Sequence, residues 1–277
     1  MPIVEKQFMF IHIPKTAGTT FVLTLARHFK GKKKLSQYYH TAFKNFPKHT
    51  PEYLNSFDLS YGHVPFNSEL KIERGIDYFT FLRNPRERLL SGYRHIKGDG
   101  EHGLKNKINI DDHKLKDFLK SGLSKKIDNL MVRYLSGNLD KDYMSINEED
   151  LTIALKNFDA DFSIFGLTEY FDESLVLLSD HMRWSPLFYF RENNSNYKID
   201  IKELDEETEK LILACNKYDE ILYQHALNRF RKMMADKKTM LDEGLKELRE
   251  GNEKRKFILS LRNRGSLLIS NILRRLK

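Results

Sequence analysis

The sequence predicts a mixed α/β protein, and three observations support this class. Short apolar runs alternate along the chain with longer stretches in which apolar residues recur at helical spacing. The first apolar run passes directly into a helical stretch through a turn rich in threonine, which is the order of a strand-turn-helix unit. The chain of 277 residues is long enough to bury the core of one such domain. One α/β domain with an appended tail is therefore expected.

Four strands and seven helices are predicted in chain order. The strands are short apolar runs, at Gln7–Ile13, Leu59–Gly62, Asp77–Leu82 and Asp161–Leu167. The helices follow from apolar spacing and capping residues, at Thr19–Phe29, Pro85–Ile96, Lys125–Ser136, Glu148–Asn157, Tyr170–Met182, Glu206–Cys215 and Asp219–Arg231. Lys30–Lys34 and Lys97–Asp112 are predicted to be surface loops, because they are rich in charge, glycine or asparagine.

The positive charge of the chain is concentrated near its C-terminus. The formal net charge is +8; residues 229–277 carry 15 Lys and Arg against 6 Asp and Glu (+9), which leaves 32 against 33 (−1) elsewhere. We therefore predict one domain over residues 1–230 and a basic amphipathic helical tail over residues 231–277. Such a helix can lie on an anionic membrane or, more commonly, dock on a protein surface. Its apolar stripe comprises Leu261, Leu268, Ile269, Ile272, Leu273 and Leu276.

The remaining composition bears on compartment and partners. Cys215 is the only cysteine, so no intrachain disulfide can form, and the N-terminal residues lack the segments of a signal peptide. No apolar run approaches the roughly 20 residues that cross a bilayer. We expect a cytoplasmic protein, with peripheral contact at the inner membrane face through the tail as the further expectation. Nucleic-acid binding is not expected, because the basic residues are not interleaved with aromatic ones.

The turn after the first predicted strand has the composition of a phosphate-binding turn. A helix N-terminus leaves N–H groups unpaired and attracts anions; the glycine permits close approach, the threonines add hydroxyl groups, and the lysine adds a full charge. The order differs from the nucleotide P-loop, because the lysine precedes the glycine. An ordinary capped strand-to-helix turn is the alternative. The residues of this turn are Lys15, Thr16, Ala17, Gly18, Thr19 and Thr20.

A second candidate phosphate site follows the predicted strand Asp77–Leu82. Arg83 ends the strand, and Asn84 then serves as N-cap of a helix with Glu87 at its third position, a pair that resembles a capping box. Arg83 is thereby expected at the carboxyl end of a parallel strand, where open α/β sheets bind ligands. Ser91 lies nearly two turns further along the same helix.

The two motifs together resemble those of sulfotransferases that use 3′-phosphoadenosine 5′-phosphosulfate (PAPS). The resemblance is to the carbohydrate sulfotransferases that include heparan sulfate 2-O-sulfotransferase, and it extends over about Gln7 to Phe230. It implies a P-loop-kinase-like three-layer α/β fold with a central parallel sheet, here followed by the helical tail. Further similar stretches lie at Asp128–Gly137, Phe165–Leu178 and Tyr218–Phe230.

The resemblance also implies a role for each residue of the two motifs. Lys15 would contact the oxygen that bridges sulfate and phosphate, while Arg83 and Ser91 would hold the 3′-phosphate. His63, which follows a short strand and a glycine, would be the base that accepts the proton of the acceptor hydroxyl; Glu69 is the alternative, because other branches use a glutamate. The residues implied to hold the 5′-phosphate are Thr16, Ala17, Gly18, Thr19 and Thr20.

The implied activity is O-sulfation of a hydroxyl group, on a carbohydrate or glycolipid acceptor, with 3′,5′-adenosine bisphosphate (PAP) as product and no metal ion. Two alternatives remain open: a nucleotide-dependent small-molecule kinase, which would need magnesium and ignore a 3′-phosphate, and a non-catalytic phosphate-binding module delivered to membranes by the tail. The sequence leaves the identity of the acceptor and the oligomeric state undetermined.

Several polar residues are expected outside the chemistry. Asn129 and Arg133 lie four residues apart on a predicted helix and are expected on its surface rather than at the ligand. Glu169 is expected to fix Arg83 or cap a helix. Tyr218, Asp219 and Tyr223 are expected to serve in packing and capping.

Overall fold

A computed structural model of the protein describes residues 6–37, 50–67, 73, 75–98, 115–189 and 204–275. Within these ranges five strands form one parallel sheet in the order β2-β3-β1-β4-β5. All four neighbouring pairs run parallel, so the carboxyl ends of the strands share one edge of the sheet. The strands are β1 Gln7–Ile11, β2 Lys34–Gln37, β3 Leu59–Gly62, β4 Ile76–Leu82 and β5 Gly166–Leu167.

Helices connect these strands and follow the last one. Two short 3₁₀ turns, Lys125–Ile127 and Thr168–Tyr170, lie between the longer elements. The α-helices are α1 Gly18–His28, α2 Pro51–Asn55, α3 Pro85–Gly98, α4 Leu115–Ser121, α5 Leu130–Ser136, α6 Glu148–Asp161, α7 Phe171–His181, α8 Glu206–Cys215, α9 Lys217–Asp236 and α10 Lys238–Arg275.

The sheet is the middle layer of the protein. All five residues of β1 and the last five of β4 are buried, as expected for strands that helices cover on both faces. Phe8, Phe10, Phe79 and Phe81 fill the space between the sheet and its helices. The predicted α/β class, the central parallel sheet and the P-loop-like architecture are therefore confirmed.

Three elements escaped the sequence prediction. The strand β2 begins inside the basic run that was expected to be a loop, and it is an edge strand with one apolar residue, Leu35. Such strands carry a weak sequence signal, and lysine on an edge is a common protection against pairing with another chain. The helices α2 and α4 were also missed, because each is too short to show helical periodicity over several turns.

Two predicted elements are wrong in part. The helix expected over Lys125–Ser136 is a 3₁₀ turn and α5, interrupted at Asn129, which has a left-handed φ of 42°. Asparagine tolerates this conformation, and the side-chain oxygen of Asn129 accepts hydrogen bonds from the main-chain N–H groups of Tyr218 and Asp219. The strand expected over Asp161–Leu167 is shortened to β5, because α6 continues to Asp161.

The tail begins with a helix that packs on the domain. The helix α10 lies against α7, with Leu241 and Leu248 buried. Gly244 permits the close approach, since a Cβ there would lie 2.5 Å from the Val176 side chain. The division predicted at residue 230 falls within α9 and stays a prediction. Over the described ranges, no helix is long and apolar enough to span a bilayer.

Candidate functional site

The carboxyl ends of three adjacent strands bring the predicted site residues together. The turn after β1 carries Lys15, β3 is followed by His63, and β4 is followed by Arg83. Arg83 donates a hydrogen bond from Nη1 to the main-chain oxygen of Lys15 at 3.1 Å, which joins the two phosphate motifs directly. The site therefore lies where open parallel sheets place their ligands, beside the first strand and its two neighbours.

The turn after β1 has the backbone of an anion-binding loop. Lys15 has a φ of 71° and Ala17 a φ of 65°, both in the left-handed region that residues other than glycine rarely adopt. Successive residues that alternate between right- and left-handed conformations can form a concavity lined by N–H groups that binds phosphates, and the left-handed residues on either side of Thr16 are compatible with such a turn. Each such residue costs on the order of 1–3 kcal/mol, and strain of this kind concentrates at functional sites.

The N-terminus of α1 is left without a capping side chain. Its N-cap residue, Ala17, makes no side-chain cap, and the first turn contains no acidic residue. The helices α6 and α8 differ, because Asn147 and Asp205 cap them and acidic residues occupy their first turns. The alternative of an ordinary turn with a side-chain cap therefore does not describe the start of α1. The partial positive charge of α1 is available to an external anion.

The Thr16 hydroxyl and Gly18 were expected to serve a bound phosphate directly, but in the structure both make contacts within the protein. The Thr16 hydroxyl donates to the main-chain oxygen of Ile13 at 2.8 Å and the side chain is fully buried, so this hydroxyl is committed to holding the loop. Gly18 is required by packing, because a Cβ there would lie 1.8 Å from Nε2 of His12. Thr16 and Gly18 can therefore serve an anion only through their main-chain N–H groups.

Arg83 lies in a partly buried pocket of mixed charge. Burial lowers the pKa of Arg83, whereas the neighbouring carboxylates of Glu169 and Glu87 raise it and Arg94 lowers it. Nε of Arg94 is buried without a hydrogen-bond partner among the described residues. Two arginines of like charge held near each other, one with an unsatisfied buried donor, fit an anion between or beside them. Ser91 lies half-buried on the same helix, α3.

Glu169 has the structural role that its position in the sequence suggested. One carboxylate oxygen accepts from the main-chain N–H of Asn84 at 2.8 Å, and the other accepts from the Tyr223 hydroxyl at 3.1 Å. The Asn84 side chain in turn accepts from the N–H of Glu87, so Glu169 supplies the half of the capping box that was expected from Glu87. The pair of hydrogen bonds fixes the entry into α3 and therefore the position of Arg83.

His63 has a defined tautomer. Its Nδ1 lies 2.7 Å from the main-chain oxygen of His12. A carbonyl oxygen only accepts, so Nδ1 carries the proton, and in the neutral ring Nε2 is left as a hydrogen-bond acceptor. Burial lowers the pKa of His63, opposed by the bond to His12 and assisted by the charge of Lys126. The ring is therefore held neutral and oriented, as a base that works at neutral pH must be.

The His12 ring packs against the His63 ring. The two rings lie with centroids 4.5 Å apart, and the His12 ring also stacks on Phe10. Burial lowers the pKa of His12 well below 6.5, and the charges of His63 and Lys15 lower it further. The His12 side chain is buried, one residue after β1 ends at Ile11.

The paired histidines predict that stability falls on acidification. Because both folded-state pKa values are depressed, the unfolded chain binds more protons below pH 6.5, and stability is lost as pH falls from 6.5 through the folded pKa values. Each histidine contributes up to about 1.4 kcal/mol per pH unit in that range. Thermal unfolding between pH 7.5 and 5 should show the loss. His12→Phe should make the pH dependence shallower, and an unchanged slope would contradict the assignment.

A buried polar network behind the site replaces the surface positions expected for Asn129 and Arg133. Arg133 pairs with the buried carboxylate of Asp128, and Arg88 lies 3.8 Å from the carboxylate of Asp219. The expectation of surface residues is wrong because charged pairs spaced along a helix look the same in sequence whether they face solvent or each other. Asp219 also accepts from two main-chain N–H groups at the start of α5, which confirms its capping role.

Part of the predicted site lies outside the described residues. Glu69, the alternative base, belongs to this part, as do most of the loop Lys97–Asp112 and the segment that follows β2.

One comparison with known proteins assigns a family. The model of the sulfotransferase family (Sulfotransfer_2) matches residues 4–257. A search of curated proteins finds no match. The matched region contains all five strands and every helix up to the first half of α10. It includes the loop after β1, His63 and the β4–α3 junction, so the residues gathered at the strand ends lie within the family's domain. The chain therefore belongs to the sulfotransferase family and is a transferase.

Proposed function

We propose that the protein is a PAPS-dependent O-sulfotransferase that acts on a hydroxyl group of a carbohydrate or glycolipid. One observation carries the proposal. The strained, uncapped loop at Lys15 is hydrogen-bonded to Arg83, so the two proposed phosphate-binding elements are adjacent. A nucleotide with phosphate groups at both the 5′ and 3′ positions needs two such elements, whereas ATP needs a single elongated one.

The chain's own residues divide the work of holding PAPS. The N–H groups of Thr16 to Thr20 fit the 5′-phosphate, and Arg83 with Ser91 fits the 3′-phosphate, where the planar guanidinium matches the phosphate oxygens. When bound, PAPS supplies the sulfuryl group and PAP remains. Lys15 provides a mobile charge beside the loop that stabilises negative charge developing on the leaving phosphate.

His63 is proposed to accept the proton of the acceptor hydroxyl at Nε2. The hydrogen bond from Nδ1 to the main chain of His12 fixes the ring, and the depressed pKa keeps Nε2 unprotonated at neutral pH. The acceptor hydroxyl becomes more nucleophilic as this proton leaves. The charge on the imidazolium that forms is stabilised by the His12 carbonyl oxygen.

Ligand-induced stabilisation tests the nucleotide site. PAP at 100 times its Kd should stabilise the wild type by about 2.7 kcal/mol, a shift of several degrees in Tm for a domain of this size. AMP should give little shift, because it lacks the 3′-phosphate. Arg83→Ala should reduce the response to PAP to the weak response given by AMP, and should leave the response to AMP unchanged. Thermal unfolding by calorimetry or dye fluorescence measures these shifts.

The matched control is Arg86→Ala, three residues further along. Arg86 pairs with Glu209 on the surface, so its loss should leave the PAP shift intact. Arg83→Lys separates charge from geometry, since it keeps the charge and loses the fork. Stabilisation by ATP with magnesium equal to that by PAP would overturn the proposal in favour of the kinase. No shift with any nucleotide would favour a non-catalytic module.

A further inference from the structure

The helix α10 consists of two halves of different character. The half 238–256 carries six Lys and Arg and five Asp and Glu, for a net charge of +1. The half 257–277 carries five cations and no acidic residue, for a net charge of +5. The family match ends at residue 257, so the second half lies beyond the family's domain. The five cations are Arg262, Arg264, Arg274, Arg275 and Lys277.

The first half of α10 packs on the domain. Besides the buried leucines, Gly251 approaches Phe188 so closely that a Cβ would lie 1.9 Å from the ring. Asn252 accepts a hydrogen bond from the N–H of Tyr189 at 2.9 Å, and Arg255 lies over the Phe188 ring at 4.6 Å. The near-neutral half of the helix is therefore the half that packs on protein.

The second half continues the same helix. The backbone of α10 is helical without a break through Arg275, so it is about 57 Å long, against about 16 Å for its partner α7. Because the helix is continuous, residues 257–275 cannot fold back over α7. Docking on its own domain, the more common role of an amphipathic tail, is observed for the first half of the helix.

The sequence of the second half suits a lipid surface better than a second copy of the chain. At 100° per residue its apolar residues spread over an arc broader than the narrow seam of a coiled coil. Two such helices side by side in parallel would bring ten cations together with no carboxylate to offset them. An anionic membrane complements that charge.

We propose that residues 257–277 bind an anionic membrane surface and hold the domain beside it. The acceptor would then be a glycan carried on a lipid; this second step rests on the proposed sulfotransferase function, whereas the membrane contact does not. The partner is identified by its chemistry, as a bilayer that exposes acidic phospholipid headgroups.

Vesicle flotation of the full chain tests the contact. The protein should float with vesicles of phosphatidylcholine mixed with phosphatidylglycerol and stay behind with phosphatidylcholine alone, and added salt should release it. Replacing Arg262, Arg264, Arg274 and Arg275 by glutamine should weaken binding by about fivefold per arginine. The double variant Leu268→Asp/Ile272→Asp should bind at least tenfold more weakly. A variant that binds like the wild type would overturn the proposal.

Two further measurements separate the outcomes. Light scattering of the same variants reports whether the helix pairs with a second copy; a dimer that Leu268→Asp/Ile272→Asp converts to monomer, with no vesicle binding by the wild type, would also overturn the proposal. All tail variants should retain the PAP-induced shift in Tm, because their changes lie outside the domain. Membrane binding without a PAP shift would remove the sulfotransferase assignment and leave the membrane contact standing.

Discussion

His63→Ala is expected to lower kcat by about 10²–10⁴-fold, the usual contribution of a positioned general base. The substitution removes Nε2, the only acceptor that the ring presents once Nδ1 has donated to His12. The PAP-induced Tm shift should remain, because the proposed phosphate contacts lie in the loop after β1, at Arg83 and in α3. Transfer of radiolabelled sulfate from PAPS to a glycolipid extract measures the loss.

The pH profile separates a base from a residue that merely shapes the pocket. In the wild type, activity should fall only below pH 6.5, because the pKa of His63 is depressed and the neutral form persists to lower pH. In His63→Ala that acid limb should disappear from the residual activity. His225→Ala is the matched control: His225 pairs with Asp159 on the surface, and its loss should leave kcat unchanged. Retention of wild-type activity by His63→Ala would move the role to Glu69.

Arg88→Met is expected to lower the free energy of unfolding by about 3–5 kcal/mol. Arg88 and Asp219 are both fully buried, and methionine would leave the Asp219 carboxylate in the core without its cation. Arg88 also donates to the main-chain oxygen of Lys126 and to Asn216, and these acceptors would lose their partner. Urea unfolding measures the loss.

The size of the loss should depend on pH. Burial already raises the pKa of Asp219, and removal of Arg88 takes away the largest opposing influence. A carboxyl whose folded pKa is raised binds protons more readily in the folded state, so the variant should regain stability as pH falls toward the folded pKa. A second variant, Arg88→Met/Asp219→Asn, should recover much of the loss at neutral pH.

The control for this experiment lies on the same helix. Arg86→Met makes the same chemical change two residues earlier, but Arg86 is paired with Glu209 at the surface. Such pairs contribute about 0–1 kcal/mol, so the control should unfold nearly like the wild type. Equal losses of unfolding free energy in the two variants would show that removing the buried cation costs no more than removing the partly exposed one.

The fold class and the position of the ionisable residues Lys15, His63 and Arg83 at one edge of the sheet could be predicted from the sequence. Buried parallel strands are continuous apolar runs, and the carboxyl ends of neighbouring strands necessarily meet at one edge. Lys15, His63 and Arg83 each follow such a run, so their proximity follows from the sheet alone. The edge strand β2 was not predicted, because a strand exposed on one side has few apolar residues to reveal it in the sequence.

The features that could not be predicted from the sequence depend on contacts between segments far apart in the chain. The environments of Arg88 and Arg133 are decided by Asp219 and Asp128, and nothing in their local pattern distinguishes them from solvated helix residues. The glycine at position 18 was predicted to allow close approach to a ligand, whereas the group that approaches it in the structure is the His12 ring. The role of Glu169 needed only its position after β5, which is why it could be anticipated.

The contact between Gly18 and His12 also restricts how this sequence can change over time. Any side chain at position 18 would occupy the space of the imidazole, so a replacement there becomes acceptable only after position 12 has become smaller. A smaller residue at position 12 would in turn remove the ring against which His63 rests. The loop after β1 and His63 therefore constrain each other through His12, and substitutions in one are expected to require substitutions in the other.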